Sequence, residues 1–69
     1  MKLSARNVFA GRIVEVRRGQ TTSVVKLDIG QGTLITASIT NEAVDTLGLK
    51  AGDSASAIIK ASDVMIGKD

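Results

Sequence analysis

Two short polar clusters and one threonine carry most of the groups in this sequence that could bind a ligand. The first cluster is Ser4-Ala5-Arg6-Asn7, and the second is Lys60-Ala61-Ser62-Asp63. With Thr40 they offer hydroxyls, an amide, a guanidinium, an ammonium and backbone N–H groups, which are hydrogen-bond donors. A donor-rich set without a base or a nucleophile suits a small oxyanion, whose charge one arginine and one lysine offset. The sequence therefore predicts a site for a small oxyanion.

The composition argues against most other kinds of site. The chain of 69 residues has no His and no Cys, so it lacks the commonest general base and any thiolate metal ligand. Its Asp residues are too scattered for a calcium loop. The net charge is only +2, and Phe9 is the single aromatic side chain that could stack on a base. We therefore expect a protein that is not an enzyme, ligates no metal ion directly and binds no nucleic acid.

Length and hydropathy limit the domain count and the cellular location. At 69 residues the chain is predicted to be a single domain, residues 1–69. The first seven residues lack an apolar signal-peptide core, and no apolar run approaches the ~20 residues of a membrane helix. We expect a soluble, cytoplasmic domain with no membrane partner. Because so short a chain buries little apolar surface by itself, it is also expected to form a homo-oligomer.

The elements that must position the polar clusters are mostly strands. Alternating apolar and polar residues predict strands over 8–18, 22–29, 33–40, 54–60 and 64–66. A change of period predicts a helix over 41–47, which Thr40 caps at its start and Gly48 at its end. Gly11, inside the first strand, indicates a bulge or a close backbone approach, and Arg17-Arg18-Gly19-Gln20 is typical of a turn.

This order of elements is typical of an all-β protein with one short helix. It suits a five-stranded small barrel of the oligonucleotide/oligosaccharide-binding type, and a sandwich of two sheets fits nearly as well.

Each polar residue also has a plainer interpretation. Ser4 and Asn7 are common in a turn before a strand, and Lys60 is common at a solvated strand end. Thr40 is a usual helix cap, and Arg17-Arg18 is a usual solvated turn. Residue type alone does not choose between these roles and ligand binding.

Four strings cover nearly the whole chain in a fixed order. They are Leu3-Ser4-Ala5-Arg6-Asn7-Val8-Phe9-x-Gly11-x-Ile13-x-x-Val16, Ile35-Thr36-Ala37-x-Ile39-Thr40-x-x-Ala43-Val44, Leu47-Gly48-Leu49-x-x-Gly52 and Ala57-x-Ile59-Lys60-Ala61-Ser62-x-Val64. The series resembles the molbindin family, whose small domains are called Mop domains. Similar domains form the C-terminal modules of molybdate-transporter ATPases and of the molybdate-responsive repressor.

The resemblance implies a protein that binds molybdate, and tungstate similarly, at interfaces between subunits. It implies a barrel of the oligonucleotide/oligosaccharide-binding type and a hexamer built as a trimer of dimers. Thr40 of a neighbouring subunit would complete a site lined by residues of the two clusters. The implied oxyanion-binding residues are Ser4, Ala5, Arg6, Asn7, Thr40, Lys60, Ala61 and Ser62.

The function that follows from the resemblance is intracellular storage or homeostasis of molybdenum. Arg6 would act through its side chain or its main chain, and Asn7 is the weaker candidate among the implied ligands. An alternative is a structural or regulatory assembly module that binds a protein partner, with the oxyanion incidental. A pterin ligand fits poorly because the chain has almost no aromatic side chain to stack on it.

Overall fold

The computed structural model describes all residues of the chain, 1–69. Its elements in chain order are β1 (Asn7–Arg18), β2 (Thr22–Asp28), β3 (Leu34–Thr40), α1 (Asn41–Leu47), β4 (Ser54–Ile59) and a short 3₁₀ helix (Ala61–Asp63). The first four predicted strands agree with these bounds to within one residue, and the predicted helix agrees at both ends. The all-β class with one helix is therefore confirmed.

The four strands form one antiparallel sheet in the order β3-β2-β1-β4. The long strand β1 pairs with β2 along its second half and with β4 along its first half. Because β3 and β4 are the two edges, the curled sheet leaves an apolar groove of about 700 Å³ between them on its concave face. The sheet is a half-barrel.

The core lies where the concave face meets the helix. Ile13, Val25 and Leu27 are its buried strand residues, and Val44 of α1 packs against them. Side chains on a strand alternate between its two faces, so Val25 and Leu27 of β2 reach the same side. The helix therefore closes one end of the half-barrel and leaves the rest of the concave face open.

The ends of α1 follow the predicted capping. Thr40 Oγ1 accepts a hydrogen bond from Ala43 N at 3.1 Å, and Thr40 itself is extended at φ −68° and ψ 152°. Gly48 takes the left-handed conformation at φ 64°, where its N–H bonds Asp45 and Val44 carbonyls. A side chain at that φ would be strained, so glycine suits the position.

Gly11 lies where the backbone of β1 closely approaches the end of β2. A Cβ atom on Gly11 would lie 2.2 Å from the main-chain oxygen of Asp28. The predicted close approach is thus confirmed, while the irregular register of β1 falls between Ile13 and Glu15.

Two expectations need correction. Val64–Ile66 does not form a fifth strand, because a strand requires a hydrogen-bonding neighbour and the 3₁₀ helix turns the chain out of line with β4. A closed five-stranded barrel of the oligonucleotide/oligosaccharide-binding type is therefore not confirmed. Arg17-Arg18 is not a turn either: both residues pair with β2, and the turn begins after Arg18.

Candidate functional site

The pairing of β1 with β4 brings the two polar clusters to the same end of the sheet. Asn7 and Ile59 are the last paired residues of the two antiparallel strands. Residues 4–6 therefore lead into the sheet beside the point where residues 60–62 leave it. Asn7 Nδ2 donates to the Ile59 carbonyl at 3.1 Å, which fastens the two segments together across 52 residues of sequence. The structure thus places seven of the eight predicted site residues at one corner of the sheet, which we call the donor corner.

The main chain of this corner keeps hydrogen-bond donors free. None of the backbone hydrogen bonds of the turns and loops uses an N–H of residues 4–6 or 60–62 as donor. In the 3₁₀ helix, the Lys60 and Ala61 carbonyls accept from Asp63 N at 2.9 Å and Val64 N at 3.3 Å. These bonds use carbonyls of the second cluster and leave its first N–H groups available to a ligand.

The two cations of the corner have no carboxylate partner. The ion pairs of the structure join Arg17 to Glu15 and Arg18 to Asp45, so neither includes Arg6 or Lys60. Both free cations are exposed to solvent. They are therefore available to offset the charge of a bound anion.

Thr40 lies at the opposite corner of the sheet. It pairs with Thr22 at the end of β3, whereas the polar clusters lie beyond the far end of β4, which is the other edge strand. The structure does not bring Thr40 together with the other predicted ligands within one chain. Its Oγ1 accepts from Ala43 N, and the hydroxyl proton remains free to donate to a ligand.

The shifted pKa values belong to ion pairs away from the clusters. A hydrogen bond and the charge of Arg18 lower the pKa of Asp45, and the same pairing raises the pKa of Arg18. A hydrogen bond from Arg17 lowers the pKa of Glu15. These residues belong to the second half of β1 and to α1. Their ion pairs therefore act on the scaffold and do not involve the donor corner.

The structure also shows a polar contact that the sequence analysis missed. Ser23 is buried, and its Oγ donates to Asn41 Oδ1 at 2.5 Å. The signal was present in the alternation of β2, because Ser23 shares its parity with the inward Val25 and Leu27.

No group of three or more metal-binding side chains occurs, and no helix has the length and hydropathy needed to cross a membrane.

Comparison with known proteins finds similarity along nearly the whole chain. Residues 3–66 match the model of the TOBE domain family. A probable molybdenum-pterin-binding protein of Haemophilus influenzae is 42% identical over 67 residues, which is 97% of this chain and 97% of that protein.

Two solved structures have the same fold. MopII from Clostridium pasteurianum, in an apo form, superposes with a TM-score of 0.91 and 39% identity, over 97% of this chain and 100% of that chain. ModG, a cytoplasmic molybdate-binding protein solved with molybdate bound, superposes with a TM-score of 0.90 and 48% identity. That match covers 94% of this chain and 46% of ModG.

A match of this extent defines the class of protein: the chain belongs to the TOBE domain family. Within it, the chain groups with the molybdenum-pterin-binding, or Mop, proteins, and the resemblance to molbindins is confirmed.

Proposed function

We propose that this chain binds molybdate, and tungstate in the same manner, to store or buffer molybdenum in the cytoplasm. The observation that carries the proposal is the corner where β1 and β4 end, which gathers free N–H groups, hydroxyls and two unpaired cations. Its support from relatives is that ModG has been solved with molybdate bound and that the Haemophilus influenzae relative is named for molybdenum. The chain would act as a binding protein and not as an enzyme.

The chemistry of the corner suits a tetrahedral dianion. Hydroxyls and backbone N–H groups donate to the oxygen atoms of the anion, and the two cations balance its charge without a direct metal–protein bond. The proposed ligands within one chain are Ser4, Ala5, Arg6, Lys60, Ala61 and Ser62. Asn7 has a second role, since its amide already ties the two segments together.

The site needs a second copy of the chain. Thr40 lies at the opposite corner of the sheet, so it can reach a bound anion only from a neighbouring subunit. A monomeric protein of 7.2 kDa exposes roughly 4,100 Å², whereas this chain exposes 5517 Å². The excess on this one chain is larger than the ~800 Å² that each partner contributes to a standard interface between subunits. We propose a homo-oligomer, a hexamer built as a trimer of dimers.

A second candidate function is an assembly module that binds a different protein. The groove between β3 and β4 favours it, because most of its lining is apolar and open to solvent. In that case the apolar groove would be the functional surface, and the donor corner would bind anions only incidentally.

Calorimetric titration with molybdate separates the two candidates, and native mass spectrometry then counts chains and bound oxyanions. We expect saturable binding by an oligomer, with tungstate similar and sulfate much weaker because a smaller anion leaves donors unmet. Failure of molybdate to bind would overturn the proposal in favour of the assembly module.

A charge variant tests the assignment of the corner. Lys60→Ala removes a cation that faces the dianion, so affinity should fall on the order of ten- to a hundredfold. Arg17→Ala is the matched control, because Arg17 pairs with Glu15 away from the corner and should leave the affinity intact. Parent-like binding by both Lys60→Ala and Ser4→Ala would show that the anion binds elsewhere.

A further inference from the structure

One buried hydrogen bond joins strand β2 to the start of helix α1. Ser23 is 1% exposed and is the one buried polar residue of the chain. Its Oγ donates to Asn41 Oδ1 at 2.5 Å. A buried hydroxyl on the concave face of a strand costs stability unless it is paired. The hydrogen bond to Asn41 offsets that cost at Ser23.

Asn41 is held by two further hydrogen bonds. Its Nδ2 donates to the Gly19 carbonyl at 3.0 Å, and its main-chain N donates to the Thr21 carbonyl at 2.9 Å. With the bond from Ser23, three contacts therefore attach the first residue of α1 to β2 and to the turn between β1 and β2. The same turn is closed by Gly19 N, which donates to the Thr22 carbonyl at 2.8 Å.

This attachment acts directly on Thr40. Asn41 lies between Thr40 and Ala43, whose N–H donates to Thr40 Oγ1 at 3.1 Å. The hydrogen bonds of Asn41 therefore fix the positions of Thr40 and Ala43 relative to each other. The bond from Ala43 N then keeps one acceptor position of the Thr40 oxygen occupied. The hydroxyl proton must then point away from the helix, toward solvent, where Thr40 is exposed.

We propose that Ser23 and Asn41 are positioning residues that hold the Thr40 hydroxyl as a donor to an oxyanion bound by a neighbouring copy of the chain. The proposal rests on the proposed function, since it assigns a purpose to Thr40 as a ligand across the interface. Neither positioning residue touches the anion. They restrict Thr40 before the anion binds, and so reduce the conformational entropy that Thr40 loses on binding.

A double-mutant cycle on molybdate affinity tests this. The four proteins are the parent, Asn41→Ala, Thr40→Ala and the double variant, each titrated calorimetrically with molybdate. Asn41→Ala should weaken binding on the order of three- to tenfold in the parent, and by less than twofold once Thr40 is already Ala. Ser23→Ala, which removes only one of the three contacts, is the milder second variant and should show the same pattern with a smaller loss.

Arg18→Ala is the control for a general loosening of α1. It removes the exposed pair with Asp45, which also ties the helix to β1 but contacts neither Thr40 nor Asn41. The molybdate affinity of Arg18→Ala should match that of the parent. Thermal unfolding of every variant confirms that the folded state is being titrated.

The outcomes separate this proposal from the proposed function. If the parent binds molybdate and Thr40→Ala weakens it, but Asn41→Ala binds like the parent, the positioning role is wrong and the site stands. An equal loss from Asn41→Ala in both backgrounds also overturns it, because the effect would then not pass through Thr40. If the parent binds no molybdate, both proposals fall together.

Discussion

Thr40 combines two hydrogen-bonding roles in one hydroxyl. Its oxygen accepts from Ala43 N and caps α1, which every folded copy of the chain requires. Its proton takes no part in the cap and is free to donate to a ligand. The two roles differ in the direction of the hydrogen bond, so substitutions can retain one and remove the other.

Thr40→Asp should fold normally and lose molybdate affinity. Aspartate is a good N-cap and keeps the bond to Ala43 N, but an ionised carboxylate donates no hydrogen bond and repels a dianion. Thr40→Ser, which keeps both the oxygen and the proton, should bind within a few-fold of the parent. Thermal unfolding and calorimetric titration of the two variants measure stability and affinity separately. Parent-like affinity in Thr40→Asp would mean that Thr40 is only a cap.

Gly11→Ala should be among the most destabilising single substitutions in this chain. The new Cβ would meet the Asp28 carbonyl at 2.2 Å, and a main-chain atom inside a sheet cannot move aside cheaply. Overpacking of this kind costs about 1–3 kcal/mol of unfolding free energy. Gly67→Ala, which meets nothing within 4 Å, is the control. Equal denaturant midpoints for the two variants would contradict the close approach of β1 to β2.

At the scale of elements, one ion pair ties the end of β1 to α1. The Arg18 guanidinium donates to both carboxylate oxygens of Asp45, at 2.8 and 3.0 Å. This hydrogen bonding lowers the pKa of Asp45 below its ordinary value of 3.8. Both side chains are exposed, so the contribution to stability is small and is screened by salt.

Acid should remove this contribution over a defined range. Because the pKa of Asp45 is lower in the folded chain than in the unfolded chain, the stabilisation is complete above about pH 3.8 and is lost as the pH falls through the lowered pKa. Asp45→Asn should therefore be less stable than the parent at neutral pH, and the difference should vanish in strong acid. Denaturant unfolding at several pH values, at low salt, measures it. A difference in stability between the parent and Asp45→Asn that persists unchanged in strong acid would rule out the ion pair as its source.

At the scale of the whole molecule, a large part of the apolar surface remains uncovered. Only four apolar residues are buried, while Met65 and Ile66 are 92% and 90% exposed. Apolar surface of this kind on so small a chain is what the proposed association between copies would cover.

Light scattering at micromolar concentration should therefore find an oligomer. If molybdate bridges subunits, it binds the folded assembly and not the unfolded chain, so it should raise the melting temperature by mass action. At a free concentration of 100 times the Kd the gain is about 2.7 kcal/mol. Phosphate-free buffer with sulfate in place of molybdate is the control. A stable folded monomer in the presence of molybdate would contradict the oligomer.

Much of the local structure could be predicted from the sequence, because its signals act between near neighbours. The parity of Val25, Leu27 and Ile29 identified β2, since side chains alternate along any strand whatever its partner. Thr40 and Gly48 identified both ends of α1, since caps satisfy hydrogen bonds within a few residues. The two polar clusters were likewise visible as donor-rich strings, and their chemistry suggested an oxyanion before any geometry was known.

What only the tertiary structure decided were the relations between distant parts of the chain. Val64–Ile66 has the composition of a strand but pairs with neither edge of the sheet, so local preference alone does not produce a strand. The register that sets Asn7 against Ile59, and the bond from Ser23 to Asn41, join residues that no local signal connects. The same topology separates Thr40 from the two clusters, because strand order depends on hydrogen bonding between whole strands and not on the residues within any one of them.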